Sequence, residues 1–260
     1  MNVEPNYPVK ALARALSILE VLLHHPSPIS ITQLSQKLGI FPSTVHRMMD
    51  TLKYWGFVEQ VPNSQEYTLG LKVVELGMAK LYQLNVFTES TPFLKEIARK
   101  FDETVNLGVL DEGEVVYLDK VESTRIVKAI LYPGRRAPFH CTAIGKVLMA
   151  FQPKSVRSRI IAGKELTKYN NNTITDPKML EDEMLKIKQS GYAVDNGEHI
   201  EEVNCVAVPI YNIYGKVVAA ISISAPAFRM SPEKRKEMIS FGKKKAMDIS
   251  KRLGYKILKD

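Results

Sequence analysis

Residues 30–52 read SITQLSQKLGIFPSTVHRMMDTL, and the organisation of the chain follows from this run. Ser30 followed three residues later by Gln33 has capping-box spacing: the hydroxyl accepts from the third helical N–H, and the amide side chain reaches back to the cap. The spacing predicts a helix opening near Ile31, with Leu34 and Leu38 as its apolar stripe and Gly39 supplying the positive φ that ends it. A turn of about three residues follows. Pro42 suits the first position of a second helix, where its missing N–H has no helical partner to lose. Val45, Met49 and Leu52 then face inward, leaving Ser43, Thr44, His46 and Arg47 outward over the first turns. Hydroxyls there can reach phosphates or base edges, and an arginine can pair bidentately with guanine. Taken alone, the run is equally compatible with an ordinary helical hairpin of polar surface.

Working outward, residues 9–24 carry Leu12, Leu16, Leu19, Leu22 and Leu23 at helical spacing, a stripe able to cover the hairpin and to meet a second copy. His24 and His25 point in different directions, which suits a helix end better than a metal site. Downstream, residues 55–61 break the helical period, residues 62–65 (PNSQ) read as a turn, and Tyr67-Thr68-Leu69 returns as a second strand. Three helices and a short hairpin make a winged helix-turn-helix, with the wing tip near Asn63 placed to lie along a phosphate backbone.

Composition sets wide limits. With 260 residues, 45% hydrophobic and 25% charged, the chain is long enough for two domains with real cores. No apolar run approaches the roughly 18 residues of a membrane span, and the N-terminal residues lack the apolar stretch of a signal peptide. Two cysteines, Cys141 and Cys205, give no disulfide framework, so a cytoplasmic location is expected. The formal charge of +8 does not mark the DNA-binding end, because most of the excess lies in residues 229–260 and residues 1–86 are close to neutral.

These features carry a resemblance. Ser43-Thr44-Val45-His46-Arg47, Gly56-Phe57-Val58 and Tyr67-Thr68-Leu69-Gly70 resemble the IclR (isocitrate-lyase-regulator) family of bacterial transcription regulators, and the later part of the chain resembles the same family. The expected organisation is a winged helix-turn-helix over residues 1–70, a linker helix over 71–88 and an effector domain over 89–260.

In that last part the period predicts a helix opening at Pro92, then strands over 104–110, 115–121 and 126–132, with residues 133–136 closing the meander. A helix follows His140, with Ile144, Val147 and Leu148 apolar, and two more lie over 155–162 and 177–190; strands are expected over 192–195, 203–211 and 217–224, and a final helix opens at Ser231-Pro232. An antiparallel sheet with helices on one side is an α+β domain, similar to the GAF-like effector domain of the family.

The helix start at His140-Cys141-Thr142-Ala143-Ile144 leaves free N–H groups that can hold a carboxylate. The resemblance places the ligand pocket there, with Ala143, Ile144, Asp195, Cys205, Ser222 and Ser224 as effector-binding residues. Ile126, Ala129 and Ala137 supply apolar lining. Ser222 and Ser224, two apart on a strand, face the same side. Read without the resemblance, Cys205 is equally a small core residue and the serines satisfy local backbone. Two positions depart from the family pattern: Ile144, where relatives carry small residues, and Glu202, where they carry glycine.

Enzymatic and metal readings find less support. Gly145-Lys146 lacks the upstream glycine of a phosphate loop, since that position is His140, and no G-x-S-x-G elbow occurs. His140, Cys141, His199 and Cys205 match no common zinc spacing. The expectation is a regulator without cofactor, metal or turnover. It binds double-stranded operator DNA as a homodimer or dimer of dimers, and responds to a carboxylate, keto acid or sugar-acid catabolite. Repression of a catabolic operon is the expected sign of control, with activation the alternative.

Overall fold

The structure, a computed structural model, describes residues 9–129 and 132–256. The chain divides into two compact units, with the break between Gln83 and Leu84.

In the first unit, α1 (Lys10–His24), α2 (Ile31–Leu38) and α3 (Pro42–Tyr54) enclose a core of Ile18, Leu22, Ile29, Leu34, Val45, Met49, Val58 and Tyr67. The capping box forms: Ser30 N–H donates to Gln33 Oε1 at 2.9 Å, and Gln33 N–H donates to Ser30 Oγ at 3.3 Å. Gly39 closes α2 at φ 63°. The wing strands are β2 (Val58–Gln60) and β3 (Glu66–Leu69), antiparallel, with Gln60 opposite Tyr67. A further strand, β1 (Ile29–Ser30), pairs with the other edge of β3, giving the order β1-β3-β2. Two residues carry no period, so only the pairing reveals β1.

At the base of the wing two glycines meet. A Cβ on Gly70 would lie 2.3 Å from Gly56 O, inside any allowed contact, and Gly70 N–H donates to Phe57 O at 2.8 Å. Lys72 N–H in turn donates to Gly56 O at 3.2 Å, which fastens the first turn of α4 (Leu71–Gln83) to the turn after α3.

The second unit is a six-stranded antiparallel sheet in the order β6-β5-β4-β9-β8-β7. Its strands are β4 (Thr104–Asp111), β5 (Glu114–Val121), β6 (Arg136–Pro138), β7 (Ala193–Asn196), β8 (Val203–Tyr211) and β9 (Val217–Pro226). Helices cover both faces rather than one, because β8 and β9 are near-continuous apolar runs and not alternating ones. Gly242 of α9 (Pro232–Arg252) sits over Val208 and Ile223, whereas Ala207 and Ala220, one residue out of phase, join the cluster around α6 (Ala143–Ala150) and α8 (Pro177–Ser190). α7 (Lys154–Gly163) lies between the latter two in sequence.

Two local expectations are corrected. Pro92 does not open its helix but lies inside α5 (Asn85–Phe101). Its ring is exposed, so the carbonyl it leaves unpaired faces water, while Val86, Ser90, Phe93, Leu94 and Ile97 bury a continuous stripe. Residues 126–129 and Tyr132 are not a strand, and residues 130 and 131 lie outside the described residues. The third strand of the meander is instead β6, where Ala137 pairs with Val115. The segment before it is held by single long-range bonds: Arg229 Nη2 donates to Val127 O at 2.8 Å and Thr104 Oγ1 to Ala129 O at 3.1 Å.

Candidate functional sites: the recognition helix and a small cavity

Because α3 buries Val45 and Met49, its other face is turned outward. Ser43, His46 and Arg47 are exposed and Thr44 is half-buried. His46 Nδ1 lies 3.0 Å from Asp50 Oδ2 one turn on, an exposed i,i+4 pair that orients the ring. Among the described residues the Arg47 guanidinium has no hydrogen bond or ion pair, so it is available to a partner. Sequence reasoning passed over three residues here. Lys10 and Arg14 of α1 share a groove of about 620 Å³ with Thr44 and Arg47, adding positive charge beside α3. Phe41, at the N-cap of α3, is 79% exposed, an apolar side chain at the end of the helix able to meet a thymine methyl. No local pattern marks Lys10 or Arg14, since their proximity to α3 arises only when α1 packs.

In the second unit the six residues expected at the effector site, Ala143, Ile144, Asp195, Cys205, Ser222 and Ser224, all border one cavity of about 40 Å³. Tyr117 and Ala129 close one side, and His199, Ile200 and Val203 another. Ile126 is fully exposed on a bend, Ala137 is buried away from the cavity, and Glu202 is exposed and also off its wall.

α6 supplies one wall. Thr142 caps it, accepting from Gly145 N–H at 3.2 Å, and Gly145 allows close approach because a Cβ there would lie 2.4 Å from Phe139 Cα. Thr142, Ala143 and Ile144, at the start of α6, border the cavity, where a helix N-terminus favours negative charge. Ile144 fills the space over Gly108, where an added Cβ would meet its Cγ2 at 3.0 Å. This packing is what keeps the cavity small.

β9 and β8 supply the opposite wall, with β4 paired beside β9. Asn106 of β4 lies opposite Ser222 of β9, and its Nδ2 donates to Ser222 Oγ at 3.2 Å and to Ser224 Oγ at 3.3 Å. Cys205 Sγ is 3.1 Å from Ser224 Oγ. Burial pushes the Cys205 and Tyr117 groups well above their ordinary ranges, so both stay protonated.

Asp195 ends this wall. Burial, reinforced by the nearby Glu198 charge, raises its carboxyl to about 7, against the opposing bond from Glu198 N–H to Asp195 Oδ1 at 2.7 Å. Behind it, the buried Lys146 donates to Val194 O at 2.6 Å and pairs with Glu198. His140 and His199 are both pushed below the usual histidine value, chiefly by burial, so they add no cation at neutral pH. Among the described residues no group of three or more His, Cys, Asp or Glu side chains is placed to hold a metal ion. Nor is any helix long and apolar enough to cross a membrane.

A winged helix-turn-helix joined to a sheet domain with a small, mostly apolar cavity that carries a few polar groups defines a ligand-responsive class of DNA-binding regulator. Comparison with known proteins gives the family. Residues 11–62 match the IclR helix-turn-helix domain, and residues 78–251 match the bacterial transcriptional regulator IclR C-terminal domain. The chain is 35% identical over 247 residues to the HTH-type transcriptional regulator KdgR of Escherichia coli (strain K12), covering 95% of this chain and 94% of that protein. The crystal structure of the Thermotoga maritima IclR aligns at a TM-score of 0.80 with 33% identity, over 95% of this chain and all of that one. An IclR homologue from Microbacterium hydrocarbonoxydans, crystallised with 4-hydroxybenzoate, shares the fold at a TM-score of 0.84 and 23% identity, over 94% of this chain and 98% of that one. The chain belongs to the IclR family of bacterial transcriptional regulators.

Proposed function

We propose that this protein binds operator DNA through Ser43, Thr44, His46 and Arg47, and that a small carboxylate metabolite in the cavity of the second unit modulates that binding. The observation that carries the reading is convergence. Six positions spread from 143 to 224 border one small cavity, which brings the start of a helix, two serine hydroxyls and a buried carboxyl to the same space. Donors gathered around a small, partly enclosed space suit an anionic oxygen. The small volume favours a short keto or hydroxy acid over an aromatic acid such as the one the Microbacterium homologue holds.

The protein acts in the cytoplasm as a homodimer or dimer of dimers, because one recognition helix spans too few base pairs for specificity. Modulation requires the acid to bind the DNA-competent and incompetent arrangements with different affinity. Repression of a catabolic operon is the sign of control proposed here, since occupying the duplex excludes other proteins without any further contact. A reporter fused to the operator separates repressor from activator. No turnover of the bound acid is expected.

The test is a thermal-shift screen of small carboxylates on the full chain, followed by binding to a duplex selected by the protein from random sequence. A hit should raise the melting temperature and change duplex affinity together. Acids that stabilise the protein while leaving duplex affinity untouched would remove the regulatory role of the cavity.

A further inference from the structure

We infer that Asn106, beside Ser222 on the neighbouring strand and outside the cavity lining, is a positioning residue that turns the Ser222 and Ser224 hydroxyl hydrogens into the cavity, making that wall select an anionic oxygen over an uncharged amide. The inference rests on the reading of the cavity as the effector site. Asn106 is 1% exposed, and Ser222 and Ser224 are 3% and 1% exposed, so all three exchange hydrogen bonds among a few fixed neighbours. A serine hydroxyl has one hydrogen to give and two lone pairs with which to accept. Asn106 Nδ2 donates to both serine oxygens and has no lone pair to take a hydrogen back. Cys205 Sγ, protonated in its buried setting, fills a second acceptor position on Ser224. Ser222 thus accepts from Asn106, and Ser224 from Asn106 and Cys205, so each hydroxyl has its hydrogen left to give toward the cavity it borders.

The other end of the same amide supports this reading. Among the described residues, Asn106 Oδ1 is buried without a hydrogen-bond partner. An unsatisfied buried acceptor destabilises a fold, so its presence calls for a reason beyond stability. The opposite amide orientation would give Oδ1 two hydroxyl partners, but it would draw both hydrogens out of the cavity and leave lone pairs facing the ligand. The wall would then favour a donor, such as a carboxamide, over a carboxylate.

Asn106→Asp tests the idea with a nearly isosteric side chain that only accepts while ionised. Binding is measured calorimetrically on the full chain with pyruvate, 2-oxobutyrate, gluconate and 4-hydroxybenzoate, each beside its uncharged amide. Wild type should prefer at least one acid over its amide. In N106D the affinity for that acid should fall roughly 100-fold, as two charge-assisted hydrogen bonds are lost, while the amide binds as well or better. Should N106D fail to fold by circular dichroism, Asn106→Ala serves in its place, with the acid weakened about tenfold and the amide unchanged. Acid and amide weakened alike, or an unchanged acid affinity, overturns the role of Asn106 and leaves the cavity's function standing. Failure of every acid to bind wild type overturns the reading of the cavity, and the role of Asn106 with it.

Discussion

The recognition helix and the cavity both present hydroxyls, in opposite surroundings. Ser43 stands exposed on α3, whereas Ser222 and Ser224 are almost wholly buried on β9. An exposed hydroxyl keeps its rotamers and its water until DNA arrives, so its selectivity comes from the helix that carries it. A buried hydroxyl exchanges hydrogen bonds only with fixed neighbours, so its direction is set beforehand by residues such as Asn106. On the reading proposed above, selectivity in one region comes from where the backbone stands and in the other from which way each hydrogen points.

This contrast can be broken at several points. The largest effect is expected for Arg47→Ala. Removing a bidentate contact from both half-sites of a dimer should weaken duplex binding by roughly 2–6 kcal/mol in anisotropy titrations, with melting temperature and oligomeric state unchanged. Wild-type affinity would mean that another face of the first unit reads the DNA. Gly70→Ala comes next, because its Cβ would press on Gly56 O. The first unit should lose roughly 2–4 kcal/mol in denaturant titration, with carboxylate binding preserved. Ile144→Ala should cost roughly 2–3 kcal/mol of stability while enlarging the cavity, and 4-hydroxybenzoate should then raise the melting temperature where it does not in wild type. Equal response of the two proteins would show that Ile144 does not set ligand size.

The smallest effect concerns pH. The Asp195 carboxyl titrates at about 7 in the folded protein, above its unfolded value, so its protonated form is the one the fold favours. Its contribution to stability is present at low pH and lost as pH rises toward 7. A protonated Asp195 also repels no anion. Carboxylate affinity should therefore decline by up to about tenfold per pH unit above 7, and Asp195→Asn should flatten both dependences. A wild-type profile that is already flat from pH 6 to 8 argues against an ionising group in the wall.

Local signals made the first unit legible. Ser30 with Gln33, Gly39 and Pro42 each act within a few residues, and each appears in the structure where the spacing put it. Signals that depend on distant partners were not legible. Asn106 meets its serines across 116 and 118 residues, and nothing around it in sequence distinguishes it from a strand polar residue. Residues 126–129 have strand-like composition, yet they are held by Arg229 and Thr104 instead of a sheet ladder. Two-faced burial of β8 and β9 hid the second helix layer, since alternation is the cue for a single covered face. The family resemblance pointed to the six residues around the cavity, which no periodicity would have gathered.

The bond from Lys72 N–H to Gly56 O makes α4 an arm rooted in the wing. Its 13 residues amount to a rod about 20 Å long. Pivoting such a rod by about 10° about its far end at Gln83 carries the wing end through about 3.5 Å, close to the rise of one base-pair step. The close approach of Gly70 to Gly56 and the bond from Lys72 make the wing and the first turn of α4 one body, so within the first unit any tilt of this rod is a tilt of the wing, amplified by the rod's length.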